Sequence, residues 1–334
     1  MKEVKLPFDL NPLMSTYHHL AHPIGIVSGN IPDQSVWFPW FAHKYINCSQ
    51  KSSPRVGFNV YATDRFFIGD QIIEQIEIYL PASSFKKTLN ITEQIFIEQI
   101  KKALSKGLYI QGNFNERYIS SMLAYQKRDF AHEYLLYGFN DEANGFYAAG
   151  YTANDRYEEY LVPYSEYYAS IFQPHFKTLP LRLMHFNKEK TFKTNYSVVV
   201  RDLKHYLEST AFNAEKDEGR TFGLSAWKKL VEYVSAAEQI DIRFTKIFME
   251  HHKLMNMRLE YFAEQKIIDS ELYQQYGQVK TTSNQAYMLS LKYNLTNNLI
   301  SKNHCVELIR SIIETDKAIL PRVVSQIENG INAI

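Results

Sequence analysis

Histidine and cysteine are the side chains of this 334-residue chain best suited to nucleophilic, acid–base or metal chemistry near neutral pH, and they are unevenly spread. Three histidines crowd into Ser15–Gly25, STYHHLAHPIG, as His18, His19 and His22. Another, His132, heads the stretch HEYLLYGFNDEANGFYAAGY, and His251 and His252 adjoin. On a helix, His18 and His22 stand one turn apart and could share a metal. Two nitrogens need distant carboxylates to complete such a site, and Pro23 opposes a regular helix here. No metal is therefore expected. His251 and His252 are consecutive on a helical pattern, so at most one faces any given site. The HEYLL sequence lacks the second histidine of a zincin helix, and its surroundings read as strand. What remains is cysteine–histidine chemistry. It needs a thiolate at a helix N-terminus, a histidine on a strand to take its proton, and an Asp or Asn to orient that ring. His132 suits the middle role, because a side chain opening a hairpin strand can lean towards a preceding helix.

Other chemistries find little support. Nothing matches a phosphate-binding or dinucleotide loop, and the glycines near GRTFGLSAWKK are weak evidence for anion binding. Ser225 in GLSAW lacks the glycine two residues on that a nucleophile elbow needs, since Trp227 stands there. The net charge is +1 with no stripe of Lys and Arg, which argues against nucleic acid or an anionic membrane as partner. Two cysteines far apart, Cys48 and Cys305, do not make a disulfide framework. The N-terminal stretch has no apolar secretory core, and no run approaches the roughly 18 apolar residues of a membrane span. A soluble, cytoplasmic protein without a cofactor is expected. The 24 Tyr and 21 Phe supply buried area and also suit half-wet binding grooves.

The elements that would position these residues follow from periodicity. Arg55–Asp70 alternates like a strand, Asp70–Pro81 is ambiguous, and Asn90–Gly107 is a helix. Thr92 or Asn90 caps that helix, Ile95, Ile97, Ile100 and Leu104 form its buried stripe, and Gly107 ends it. LYIQGNF is a short strand. Glu133–Phe139 and Phe146–Tyr151 are the two arms of a hairpin, joined by the left-handed-tolerant turn Asn140–Gly145. TLPLRLMHFN (178–187) is a further strand. After about residue 190 the pattern turns helical. Ser225 is placed to cap a helix buried through Trp227, Leu230, Val231 and Val234. Asp241–Gln265 is one long helix with Phe244, Ile247, Phe248, Met255, Leu259 and Phe262 inward. The fold class is α+β, with a sheet-containing part over 1–190 and a helical part over 191–334.

The order HEYLLYGFND, then FYAAGY, then EEYLVPYSEYYASIF, resembles the family named after butirosin biosynthesis protein H. GLYIQGNFNERYISSMLAYQKRDF upstream and FMEHHKLMNMRLEYF downstream are similar to that family as well. The resemblance implies a papain-like antiparallel sheet with packed helices, followed by a C-terminal helical bundle. It also implies transfer of an acyl or peptidyl group from a carrier protein of an assembly-line synthase to an amine or peptide. His132 matches the family histidine, and Gly138 and Asp141 match its hairpin. The nucleophilic cysteine should stand near STYHHLAHPIG. His18 or His19 stands there instead, with Ser15, Thr16 and Tyr17 beside them. Cys48 follows an expected helix and precedes a polar loop, so it is badly placed for the role. The orienting carboxylate should close FYAAGY, where Gly150 lies; Asn154 and Asp155 follow just beyond. The catalytic candidates are thus His132, His18 and His19, and the substrate-contacting ones Ser15, Tyr17, Tyr134 and Asp141. The expectation is acyl transfer without a cysteine nucleophile, or, alternatively, an inactive relative that acts as a binding scaffold. A homodimer is left open.

Overall fold

The computed structural model describes residues 2–52, 55–61, 72–80, 92–172, 179–212 and 219–332. The fold is α+β, and the chain divides into two units, Met1–Gln34 with Phe66–Thr191, and Ser35–Arg65 with Phe192–Ile334. Residues 35–65 therefore group with the C-terminal half, where a linear reading draws one boundary near 190.

The first unit is built on an antiparallel sheet. Its strands are β1 (Glu3–Lys5), β4 (Ile73–Leu80), β5 (Tyr109–Asn115), β6 (Ala131–Asn140), β7 (Gly145–Tyr151), β8 (Tyr157–Pro163) and β9 (Leu179–Phe186). The order is β4-β9-β5-β6-β7-β8, with β1 paired to the far end of β6. The β6–β7 hairpin forms as its turn chemistry demands. Asn140 Oδ1 accepts the amides of Glu142 and Ala143, and Asn144 takes φ 53°. The ambiguous stretch before Pro81 is strand. It pairs with β9 over Ile73–Leu80, whereas 62–70, the rest of the stretch expected as strand, lie outside the described residues.

Helix α3 (Glu93–Ser105) is capped by Thr92, whose hydroxyl accepts the Ile95 amide at 3.3 Å; Asn90 lies outside the described residues. It buries Phe96, Ile97, Ile100 and Leu104. Ile95, expected inward, is instead 49% exposed, because Phe96 one position on takes the core face. Those side chains join Ile110, Phe114, Tyr134, Leu136, Phe146 and Ala148 of the sheet, and Tyr167 of α4 (Tyr164–Ile171), in one cluster. Each large side chain buried this way stabilises the unit by roughly 1.5–3 kcal/mol.

Helix α1 (His18–Asn30) runs through Pro23. Here tertiary packing overrides the proline. The ring removes one backbone donor, but Leu20 through Val27 are all buried, and that burial outweighs one lost bond. Such a helix is buried all round over Leu20–Val27, and only a covered position suits it. Part of the cover is the N-terminal strap: the Asp9 amide donates to Gly25 O at 2.9 Å, and Phe8 lies directly on Gly29.

The second unit holds a small sheet, β10 (Arg220–Phe222)–β2 (Asn47–Lys51)–β3 (Gly57–Tyr61), and helices α2 (Gln34–Phe41), α5 (Tyr196–Glu208), α6 (Gly223–Ala236), α7 (Ile242–Glu264), α8 (Ser270–Tyr276), α9 (Gln278–Thr296) and α10 (Leu299–Asn332). All six residues expected inward on α7 are buried, and Asp241 caps it. Ser225 is not a cap. Helix α6 starts two residues earlier, at Gly223, and the Ser225 amide itself donates to Ser209 Oγ. Cys48 lies within β2, buried, rather than before a polar loop.

A Cβ at Gly29 would sit 2.5 Å from Phe8 Cα. Alanine in a helix would otherwise add about 1 kcal/mol, but overpacking against backbone costs about 1–3 kcal/mol or more. Gly29→Ala is expected to lower stability by about 1–2 kcal/mol net. Equilibrium urea unfolding reads this, and an unchanged or raised midpoint contradicts the packing of the strap on α1.

Candidate functional site

The site arises where two strands part. The β6–β7 register ends at Leu135↔Ala149, whereas β7 stays paired with β8 as far as Tyr151↔Tyr157, and β6 with β5 as far as Ala131↔Asn115. The first turns of α1 enter that fork. His18 Nε2 accepts the Tyr151 amide at 3.0 Å, and His22 Nε2 lies 3.3 Å from Ala149 O. Two imidazoles thus serve backbone groups on the β6-facing edge of β7, which would be expensive to bury unmet. Gly150 permits the approach: a Cβ there would lie 3.1 Å from His18 Nε2.

These contacts decide the tautomers. An Nε2 that accepts an amide proton carries none, so the neutral His18 ring holds its proton on Nδ1. His22 is the reverse: Nε2 donates to Ala149 O, and Nδ1 accepts from Gln111 Nε2 at 3.0 Å. Gln111 is oriented in turn by Arg182, whose Nη1 donates to Oε1 at 3.3 Å. Burial holds the His18 pKa well below the usual histidine value, with the nearby His22, His132 and His19 rings adding to it. Burial likewise lowers His22 from 6.5 to about 3, against a smaller opposing effect of the Ala149 carbonyl.

His132 is the second residue of β6 and is one-third exposed at its side chain. Its ring lies 4.5 Å from that of His18, centroid to centroid. Its Nδ1 is 2.5 Å from Glu116 Oε1. The β5–β6 register explains the meeting: Phe114 faces His132 and Asn115 faces Ala131, so residue 116 turns back beside the ring. Asn115 pins that turn. It is fully buried, its Oδ1 accepts the amides of Arg117 and Phe130, and its Nδ2 donates to Asp129. A carboxylate on Nδ1 orients the ring and leaves Nε2 as the nitrogen available for proton transfer.

The structure brings together only part of the expected set. His18 and His132 meet. His19, the next residue round the helix, stacks instead on Tyr17 at 5.5 Å. Ser15 is adjacent through its carbonyl, which accepts the Tyr151 hydroxyl. Tyr134 is not at the site. It shares the face of β6 that His132 occupies but lies two residues further along the strand, buried in the core, stacked on Phe114 and bonded to the Tyr167 hydroxyl of α4 at 2.7 Å. Asp141 is also elsewhere, past the far end of β6 and so roughly 30 Å along the strand, where it pairs with Lys101 at 2.8 Å. Asn154 and Asp155 do not supply the carboxylate either. They form the β7–β8 turn, with Asn154 bound to Glu158 and Asp155 at φ 54°. Glu116 fills that role. The sequence carried no spacing signal for it, since its position depends on strand pairing. Gln111 and Arg182 were missed for the same reason.

Both cysteines belong to the second unit. Cys48 and Cys305 are buried, and burial raises both thiols, Cys305 to about 12. His251 and His252 do face different partners, Ile46 O and Asp316 Oδ2 respectively. No helix among the described residues is long and apolar enough to cross a membrane. Among those residues no three His, Cys, Asp or Glu groups converge on a metal position. In comparisons with known proteins, no family model and no curated protein matches the chain.

A histidine whose folded-state pKa is depressed takes up its proton more readily when unfolded. Its stabilising contribution is whole above about pH 6.5 and is lost as pH falls towards its folded value, about 3 for His22. Each such histidine steepens the loss by up to about 1.4 kcal/mol per pH unit. Unfolding midpoints measured from pH 7.5 to about 4.5 are expected to fall, and His22→Gln is expected to flatten the profile. A profile unaltered by that substitution contradicts a neutral, buried His22.

Proposed function

We propose that the first unit is a papain-like domain in which His18 occupies the nucleophile's place, and that the protein assists acyl transfer by general-base catalysis. The substrates are a thioester-linked acyl or peptidyl group on a carrier protein of an assembly-line synthase, and an amine. The observation that carries this reading is the Glu116 carboxylate on His132 Nδ1 at 2.5 Å, with the ring one-third exposed and against the first residue of α1. The helix N-terminus beside a strand histidine with its own carboxylate is the disposition that acyl-transfer triads use. The C-terminal helices correspond on this reading to the helical bundle of the family.

The chemistry runs without a covalent enzyme intermediate. As the amine nitrogen attacks the thioester carbonyl, His132 Nε2 takes its proton, and Glu116 stabilises the imidazolium so formed. When the tetrahedral adduct collapses, the C–S bond breaks and the imidazolium returns the proton to the leaving thiolate. The products are an amide and the carrier thiol. A positioned base contributes about 10²–10⁴-fold, and holding the two reactants together contributes further.

A second reading, a scaffold that binds the carrier domain without turnover, is favoured by the absence of a thiol at the site: Cys48 and Cys305 are buried and belong to the other unit. Incubation of the protein with acyl-loaded carrier protein and an amine separates the two. Amide formation is expected, falling about 10²-fold or more in His132→Ala and by a smaller factor in Glu116→Gln. Carrier binding without any amide leaves the scaffold reading, and full activity of His132→Ala removes the catalytic one.

A further inference from the structure

We propose that His18 donates its Nδ1–H to the carbonyl oxygen of the bound acyl group, and so acts as a hydrogen-bond donor rather than as nucleophile or base. This assignment rests on the acyl-transfer reading for its substrate class, but not on turnover.

Three observations lead to it. His18 makes one hydrogen bond among the described residues, and it is through Nε2 as acceptor of the Tyr151 amide. That bond removes the lone pair a nucleophile or base would use and puts the proton on Nδ1. The ring's plane is held by its stack on His22, 5.1 Å away and nearly parallel, and His22 is itself tied at both nitrogens. Nδ1 is also not among the polar atoms that are both sealed and unpartnered, although the residue as a whole is only 5% exposed. A neutral donor in a fixed direction, beside a carboxylate-oriented base at 4.5 Å, is the pair a carbonyl addition needs: one group receives the nucleophile's proton while the other meets the negative charge growing on oxygen. Protonated His18 could not play this part, because Nε2–H would then oppose the Tyr151 N–H.

Two substitutions divide the donor role from the anchoring role. In His18→Asn the side-chain nitrogen stands near the position of Nδ1, so the donor is kept and the acceptor towards Tyr151 is lost. In His18→Gln the amide oxygen reaches towards the Tyr151 amide, so the anchor is kept and the donor is lost. The probe is the octanoyl thioester of N-acetylcysteamine. Nitrogen NMR of the histidine-labelled full-length protein is expected to find the His18 proton on Nδ1, with that resonance shifting as the probe is added. Probe affinity is expected to fall about tenfold or more in His18→Gln, the loss of one hydrogen bond, and by a smaller factor in His18→Asn, which keeps the donor but loses the anchor to Tyr151. A proton found on Nε2, a resonance that ignores the probe, or a Gln variant that binds as the parent does overturns the assignment. The NMR measurement needs no variant, so it decides even if both substitutions unfold. Probe binding with these signatures but no amide product sustains the donor and removes the acyl-transfer reading. Amide formation undiminished in His18→Gln does the opposite.

Discussion

The Tyr151 amide needs an acceptor where β6 parts from β7, and His18 Nε2 provides it. Much of the first unit follows from that bond. A strand that loses its neighbour exposes backbone groups that burial would leave unmet, at about 1–3 kcal/mol each. Entry of α1 into the fork meets them with side chains instead of with another strand. Entry in turn requires a helix whose first turns bring His18 and His22 to the strand and whose remaining sides can be buried, a glycine at 150 where a side chain would obstruct the ring, and close cover by the strap over Gly25 and Gly29. It also requires neutral histidines. Burial supplies that condition by disfavouring the charged ring, and the hydrogen-bond partners choose the tautomer.

Charge is handled differently one step away. Glu116 is nearly as buried as His18, yet it is paired with a partly exposed imidazole and held in place by Asn115. The neighbouring imidazoles are therefore unlike. One is largely buried, neutral and committed through Nε2; the other is partly exposed and carboxylate-bound through Nδ1. Such division of labour between like residues through their environments is how acid and base roles are separated in one site. The second unit also buries polar groups against partners, though not completely: Arg258 Nη1 has none among the described residues. Asp316 accepts from Tyr206 and Tyr276 and lies 3.1 Å from His252 Nε2, and the Arg258 guanidinium donates to the carbonyls of Ala42 and Lys44. Burial lowers Arg258 to about 9.

Elements governed by local rules were legible in the sequence. The Asn140–Gly145 turn, the Thr92 cap and the inward face of Asp241–Gln265 each depend on residues within a few positions of one another, and each forms as its pattern implies. Departures came where tertiary packing competes with a local rule. Pro23 sits inside α1 because burial outweighs one missing bond. Ile95 faces out because Phe96 fits the core better. Tyr134 looked like a site residue from its nearness to His132 in sequence and shares that face of β6, but one step further along the strand the face is covered by Phe114 and Tyr167, so it belongs to the core.

By itself the sequence determined the helices and hairpin of the α+β fold and the prominence of His18 and His132, since these are properties of residue type and short-range periodicity. Only the tertiary structure decided that Glu116 rather than a residue after Gly150 orients His132, that His18 is locked through Nε2, and that Tyr134 and Asp141 lie away from the site. Those facts depend on which strands pair, in what register, and where two of them part. A hairpin's register is written in its turn, but which strands distant in sequence become neighbours, and where two of them part, is a long-range property of the folded chain that no spacing within one segment encodes.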